Sequence, residues 1–203
     1  MISAGMLRTE AIASLARARG EMLSLVTMQA VQPWNALGQA DNRNQNVLGC
    51  MGSASSIALG LALARPEDRV LVIDGDGSLL MQLGSLVSIA EHAPINIYHV
   101  VMENGVYETS GSQSVPGRQT ADLCAIALAS GYRRAERFSS THDLDAALPS
   151  LLRETGPVFI SLQISGPGTV AENHDIGQVP GKPAQIENMR RAFLAETSGE
   201  SHA

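Results

Sequence analysis

Cysteine is nearly absent: Cys50 and Cys124 are the two in a chain of 203 residues. Two thiols cannot make a disulfide framework, so the expected compartment is a reducing one, the cytoplasm. No stretch approaches the ~18 uninterrupted apolar residues of a membrane helix, and none is expected. Met1–Gly20 holds Arg8, Glu10, Arg17 and Arg19 without the apolar centre of a signal peptide. Basic charge is short, 14 Lys and Arg against 20 Asp and Glu, and the balance of −6 argues against a nucleic-acid footprint. The five histidines have no metal-ligand spacing. Aromatics at 3% and charged residues at 17% are also low. With 19 glycines, that profile fits an α/β enzyme core, or a subunit whose surface is largely covered by partners. The length predicts one domain over 1–203, and no internal repeat is visible.

What is present is an alternation of short apolar runs with helical patterns, most legible in Val70–Gln113. Val70–Ile73 is β-branched and apolar, as a buried parallel strand requires, and ends on Asp74-Gly75-Asp76-Gly77-Ser78. Leu79, Leu83, Leu86, Val87 and Ala90 then recur at helical spacing until His92-Ala93-Pro94. A second strand, Ile95–Met102, delivers Asn104-Gly105-Val106-Tyr107. The unit is βαβ, with both strand ends carrying polar groups to one edge of a sheet.

Those groups have a chemistry. Gly75 and Gly77 let backbone amides approach an anion, and Ser78 is expected to begin a helix whose N-terminus favours phosphate. Asp76 offers one hard carboxylate, Asn104 a neutral amide oxygen and Val106 a carbonyl, a set that suits Mg²⁺ shared with a diphosphate. Asp74, Asp76 and Ser78 also match the start of a calcium loop. Leu79 and Ser85 fall where that loop needs glycine and glutamate, which excludes it. The bland alternative is an ordinary βα turn followed by an unrelated Asn-Gly turn.

Gly75-Asp76-Gly77, 26 residues and then Asn104 resembles the GDG…N signature of thiamine diphosphate enzymes. The family usually has two consecutive asparagines; here they are Glu103-Asn104, the second being the metal-binding position. The resemblance implies thiamine diphosphate as cofactor and Mg²⁺ on Asp76, Asn104 and the Val106 oxygen. Tyr107 joins the cofactor-binding set. Asn104–Gln113, NGVYETSGSQ, is similar to the corresponding run of sulfopyruvate and phosphonopyruvate decarboxylases, which end in Gly-Gly-Gln; Ser112 replaces the second glycine. Glu108 and Gln113 are candidates for facing substrate, with plain loop surface the alternative. Leu48–Leu63, LGCMGSASSIALGLAL, contains Gly49-Cys50-Met51-Gly52 and resembles the family's aminopyrimidine-binding turn. By that resemblance the Gly49 carbonyl accepts from the 4′-amino group and Met51 props the cofactor in its bent shape, and Cys50 belongs to the cofactor-binding set. Taken alone, Met51 reads as a core methionine.

The remaining chain predicts helix Leu7–Ala18, strand Glu21–Thr27, then a long polar loop Met28–Gln45. That loop either carries binding groups or is a surface excursion with Trp34 against the core. The related decarboxylases have a glycine-containing turn leading to Ser-Arg-Glu here, whereas this chain reads Thr27-Met28-Gln29. Helix Ser55–Ala64 follows. Thr120–Ser130 is expected helical, Tyr132–Phe138 a strand, His142–Arg153 a helix and Pro157–Ile164 a final strand. A loop Gly166–Gly181, with Asn173, His174 and Asp175 solvated, leads to helix Ala184–Ala195, with Ile186, Met189 and Phe193 on one side. The fold expected is a doubly wound, mainly parallel α/β sheet of the thiamine diphosphate-binding type.

By the same resemblance this is the diphosphate-binding module, and the catalytic glutamate comes from a pyrimidine-domain (alpha) subunit in a hetero-oligomer. The implied reaction is decarboxylation of a small 2-oxo acid, such as sulfopyruvate or phosphonopyruvate. An acetolactate-synthase-like carboligase subunit and a non-catalytic cofactor-binding subunit are the alternatives.

Overall fold

Six parallel strands form one sheet in the computed structural model, which describes residues 5–165 and 182–198. Helix α1 (Arg8–Arg19) leads into β1 (Leu23–Thr27), a short 3-10 turn, α2 (Val31–Ala36) and β2 (Asn44–Val47). Then come α3 (Ala54–Ala64), β3 (Val70–Gly75), α4 (Asp76–Met81), α5 (Ser85–His92) and β4 (Ile97–Glu103). A two-residue ladder pairs β5 (Val106–Tyr107) with β6 (Gln113–Ser114). The chain ends through α6 (Leu123–Ser130), β7 (Arg134–Phe138), α7 (Thr141–Leu151), β8 (Val158–Gln163) and α8 (Lys182–Ser198). The expected loop Gly166–Gly181, with Asn173, His174 and Asp175, lies outside the described residues.

The strand order is β2-β1-β3-β4-β8-β7. The chain leaves β1 for β2 on one side and returns to β3 on the other, so order reverses between β1 and β3. Alternating residues feed two apolar layers. Leu71, Ile73, Val100 and Ile160 pack with Ile12, Leu15, Trp34, Leu144 and Leu148 of α1, α2 and α7. Val70, Val72, Val101 and Phe159 pack with Ala58, Leu86, Ile89 and Leu123 of α3, α5 and α6. Each fully buried aliphatic side chain stabilises the fold by about 1.5–3 kcal/mol relative to exposure. The central strands are covered on both faces, which is why they read as unbroken apolar runs.

The structure corrects three expectations. The polar stretch 28–45 is not a loop throughout: it contains α2 and enters the edge strand β2 at Asn44. Asn44, Gln45 and Asn46 are buried although polar, and a side-chain network satisfies Asn44. Asn44 Oδ1 accepts from Ser24 Oγ at 2.8 Å and from Trp34 Nε1 at 3.0 Å, and Asn44 Nδ2 donates to Asn46 at 3.0 Å. The helix expected from Leu79 to Ala90 is two helices, broken at 82–84 beside Gly84, and Val87 faces solvent. Within α8, Met189 is buried and Phe193 packs on the core, whereas Ile186 is exposed.

Candidate active site

At the carboxyl ends of β1 and β3, where strand order reverses, lies a cavity, the place an open α/β sheet keeps its ligand. Its walls are Thr27–Ala30 at the end of β1, Asp74–Ser78 at the end of β3, Met102, Asn104 and Val106–Thr109 at the end of β4, Met51, and Arg8 with Ile164 at the far side. The cavity of about 70 Å³ is well below the ~300 Å³ at which small-molecule pockets begin, so on this chain alone it accommodates part of a cofactor-sized ligand.

Asp76 is the centre of this edge. Its Oδ1 accepts the Gly77 amide and its Oδ2 the Gly105 amide, each at 2.7 Å, so one carboxylate staples the turn after β3 to the turn after β4. Each oxygen keeps a lone pair beyond those bonds. Burial, reinforced by the Glu103 charge and opposed by the two amides, pushes the Asp76 carboxyl up to about 6. Such a carboxylate gains from a cation nearby.

Asn104 is oriented by its neighbours. Its Nδ2 donates to Glu108 Oε1 at 2.5 Å, and its Oδ1 accepts the Val106 amide at 3.0 Å. A carboxylate only accepts, so Glu108 fixes which end of the amide is nitrogen and leaves the oxygen its second lone pair. Glu103, just before Asn104, turns to β8 and β7: Ser161 donates to it and Arg137 lies 3.8 Å away. Among the described residues no three His, Cys, Asp or Glu side chains are grouped so that they alone could hold a metal ion. A cation here would therefore rest on one carboxylate and neutral oxygens, the donor set Mg²⁺ takes with phosphate and water.

The two glycines of the turn differ. A Cβ on Gly75 would meet nothing within 4 Å, so its missing side chain leaves open room at the cavity wall. A Cβ on Gly77 would sit 2.5 Å from Cε1 of Tyr107, so that glycine makes room for a ring of the protein itself. The helix expected to start at Ser78 starts at Asp76 and is only six residues long. Ser78 instead ties two motifs together, its Oγ accepting the Gly52 amide at 2.9 Å.

The structure brings Met51, Gly75, Asp76, Gly77, Ser78, Asn104, Val106, Tyr107 and Glu108 to one cavity. Gly49, Cys50 and Gln113 do not line it. Gly49 and Cys50 are exposed on the adjacent turn, and Gln113 is exposed with its Oε1 accepting from Ser110 at 2.8 Å. Met28, directly after β1, takes φ +44, a left-handed conformation that favours glycine. Arg8 lines the cavity as well, and no motif in the sequence marks it: its place is set by β8, over 150 residues away, through the Met6–Ile164 bridge.

Residues 25–162, over half the chain, match the family model of the thiamine pyrophosphate enzyme C-terminal TPP binding domain, and the chain belongs to that family. It is 40% identical to phosphonopyruvate decarboxylase from Streptomyces viridochromogenes over 76% of this chain and 38% of that protein. It is 38% identical to sulfopyruvate decarboxylase subunit beta from Methanothermobacter thermautotrophicus over 77% of each. The chain thus spans well under half of the first relative and most of the second. Benzoylformate decarboxylase from Polynucleobacter necessarius shares the fold, with TM-score 0.67 at 18% identity over 77% of this chain and 33% of that one. Among the described residues no helix is long and apolar enough to cross a membrane.

Proposed function

We propose that this chain is the thiamine diphosphate- and Mg²⁺-binding subunit of a two-subunit 2-oxo acid decarboxylase. Its substrate is a pyruvate with an acidic group at carbon three, of the sulfopyruvate or phosphonopyruvate class. The observation that carries the reading is the joining of Asp76, Asn104 and Val106 with Gly75 and Met51 around one cavity at the strand-order reversal. Similarity over 77% of a protein named as a beta subunit supports an alpha-type, pyrimidine-domain partner, which supplies the catalytic glutamate.

Asp76, Asn104 and the Val106 carbonyl hold the cation, and the open wall at Gly75 receives the diphosphate. Ser78 ties the turn carrying Gly49, Cys50 and Met51 to the turn after β3, from which Met51 would prop the cofactor when it is bound. Tyr107 packs on Gly77 and keeps the turn after β4 in register with it. Glu108 holds the Asn104 amide oxygen toward the cation. When bound, the cofactor supplies an electron sink for loss of CO₂ from the 2-oxo acid. The whole chain acts as one module of the composite site, in the cytoplasm.

The test is reconstitution with the pyrimidine-domain chain that co-purifies from the native host. CO₂ and aldehyde formed from sulfopyruvate or phosphonopyruvate are expected. A lengthened acyloin product would point to a carboligase, and no turnover of any 2-oxo acid would contradict the reading.

A further inference from the structure

Building on that reading, we propose that Arg8 is an oxyanion-binding residue of this cavity, gripping a phosphonate-, sulfonate- or phosphate-type group with the arm of its guanidinium that the protein leaves unused. Arg8 begins α1, and the chain just before it is clamped to the end of β8. Met6 N donates to Gln163 O and Ser165 N to Met6 O, both at 3.0 Å. Gly5 permits that clamp, since a Cβ there would lie 2.5 Å from Gln163 O. The guanidinium is thereby carried beneath the catalytic edge, where the Arg8 side chain is 6% exposed.

Its pairing is incomplete. Nη2 donates to Glu108 Oε1, while Nη1 of Arg8 and Oε2 of Glu108 are buried with no hydrogen-bond partner. A buried cationic N–H without an acceptor is costly, and native proteins rarely keep one. The guanidinium fork suits a two-point grip on an oxyanion. The charge balance points the same way. Asp74, Asp76 and Glu108 line the cavity, and Arg8 is its single basic side chain among the described residues. An anionic ligand entering three carboxylates needs more positive charge than one cation on Asp76 supplies. Glu108 is then the internal counter-ion that holds Arg8 in place and competes with the incoming group.

Two sources share this chemistry, the terminal phosphate of the cofactor and the acidic group at carbon three of the substrate. Calorimetry on the full chain in MgCl₂ separates them, with inorganic pyrophosphate as one probe and phosphonoacetate as the other. Glu108→Gln keeps the acceptor for Asn104 and releases Arg8, so one probe should bind roughly three- to tenfold more tightly. Arg8→Gln/Glu108→Gln removes both charges without stranding either, and the same probe should bind at least about tenfold more weakly than to Glu108→Gln. A response of pyrophosphate assigns Arg8 to the cofactor end, and a response of phosphonoacetate assigns it to the substrate. Equal binding of both probes by all three proteins, or equal losses in both variants, would overturn the proposal and leave a structural ion pair. Should the double variant fail to fold, unchanged or weaker binding of both probes by Glu108→Gln overturns it alone. If the wild type binds pyrophosphate but not thiamine diphosphate, the function proposed above fails and the anion site stands.

Discussion

Asp76 Oδ2 accepts the Gly105 amide at 2.7 Å across two neighbouring strand ends, and Oδ1 takes Gly77 at the same distance. One buried carboxylate therefore fixes the spacing between the turn that carries it and the turn that carries Asn104. The proposed metal pair is positioned by backbone, before any metal arrives.

That burial has a pH signature. With the Asp76 carboxyl at about 6 in the fold and 3.8 ordinarily, its contribution to stability is full below 3.8 and is lost as pH rises through 6. The loss amounts to about 3 kcal/mol on this raised value. Asp76→Asn forfeits hydrogen bonds by an amount that does not change with pH. Without metal, urea unfolding from pH 4 to 7.5 should thus show the wild type losing roughly 2.4 kcal/mol relative to the variant, the rest being lost already below pH 4. A pH-independent difference would contradict a raised carboxyl.

The two glycines of the turn should separate fold from ligand binding. Gly77→Ala drives a methyl into Tyr107 and should cost about 1–3 kcal/mol by overpacking. Gly75→Ala meets open space, so the melting temperature should hold while thiamine diphosphate binds at least about tenfold more weakly. Unfolding curves beside cofactor titrations check both. Equal effects of the two substitutions would refute the distinction.

Much of this was legible in the chain. Val70–Ile73 and the Asp-Gly turn announce a strand delivering polar groups, because a strand covered on both faces must be apolar throughout. The spacing from Gly77 to Asn104 is long enough for one crossover, and a crossover fixes which sheet edge receives both. The polar strand at Asn44 was not legible, since its burial depends on Ser24, Trp34 and Asn46 closing a hydrogen-bond network that hydropathy does not register. Nor was Arg8, whose place in the cavity follows from a tertiary bridge to Ile164. The split at Gly84 hid behind side chains that keep helical spacing on both sides of it.

Ser112 adopts φ +57, in the left-handed region that favours glycine. A non-glycine residue in that region pays about 1–2 kcal/mol in strain, partly offset by the unfolded-chain entropy a glycine adds. Ser112→Gly should therefore stabilise the chain by about 0.5–1 kcal/mol in denaturant unfolding. A destabilised variant would show that the serine side chain is needed there.

The two thiols report on the turn near Met51. Cys50 is exposed, whereas burial pushes the Cys124 thiol up to about 11. At pH 7.5 maleimide should label Cys50 first, and Mg²⁺ with thiamine diphosphate should slow that labelling at least about threefold if the turn lies against the cofactor. Mass spectrometry of the labelled peptide reads this directly, and labelling indifferent to the cofactor would remove Gly49 and Cys50 from the site.

The most direct test of the account is a calorimetric titration of thiamine diphosphate into the wild type and Asp76→Ala, each with and without Mg²⁺. Mg²⁺-dependent binding by the wild type is predicted, with a loss of at least about a hundredfold, ~3 kcal/mol, in a variant whose circular dichroism is unchanged. Equal Kd values for the two proteins, or wild-type binding indifferent to Mg²⁺, would contradict it.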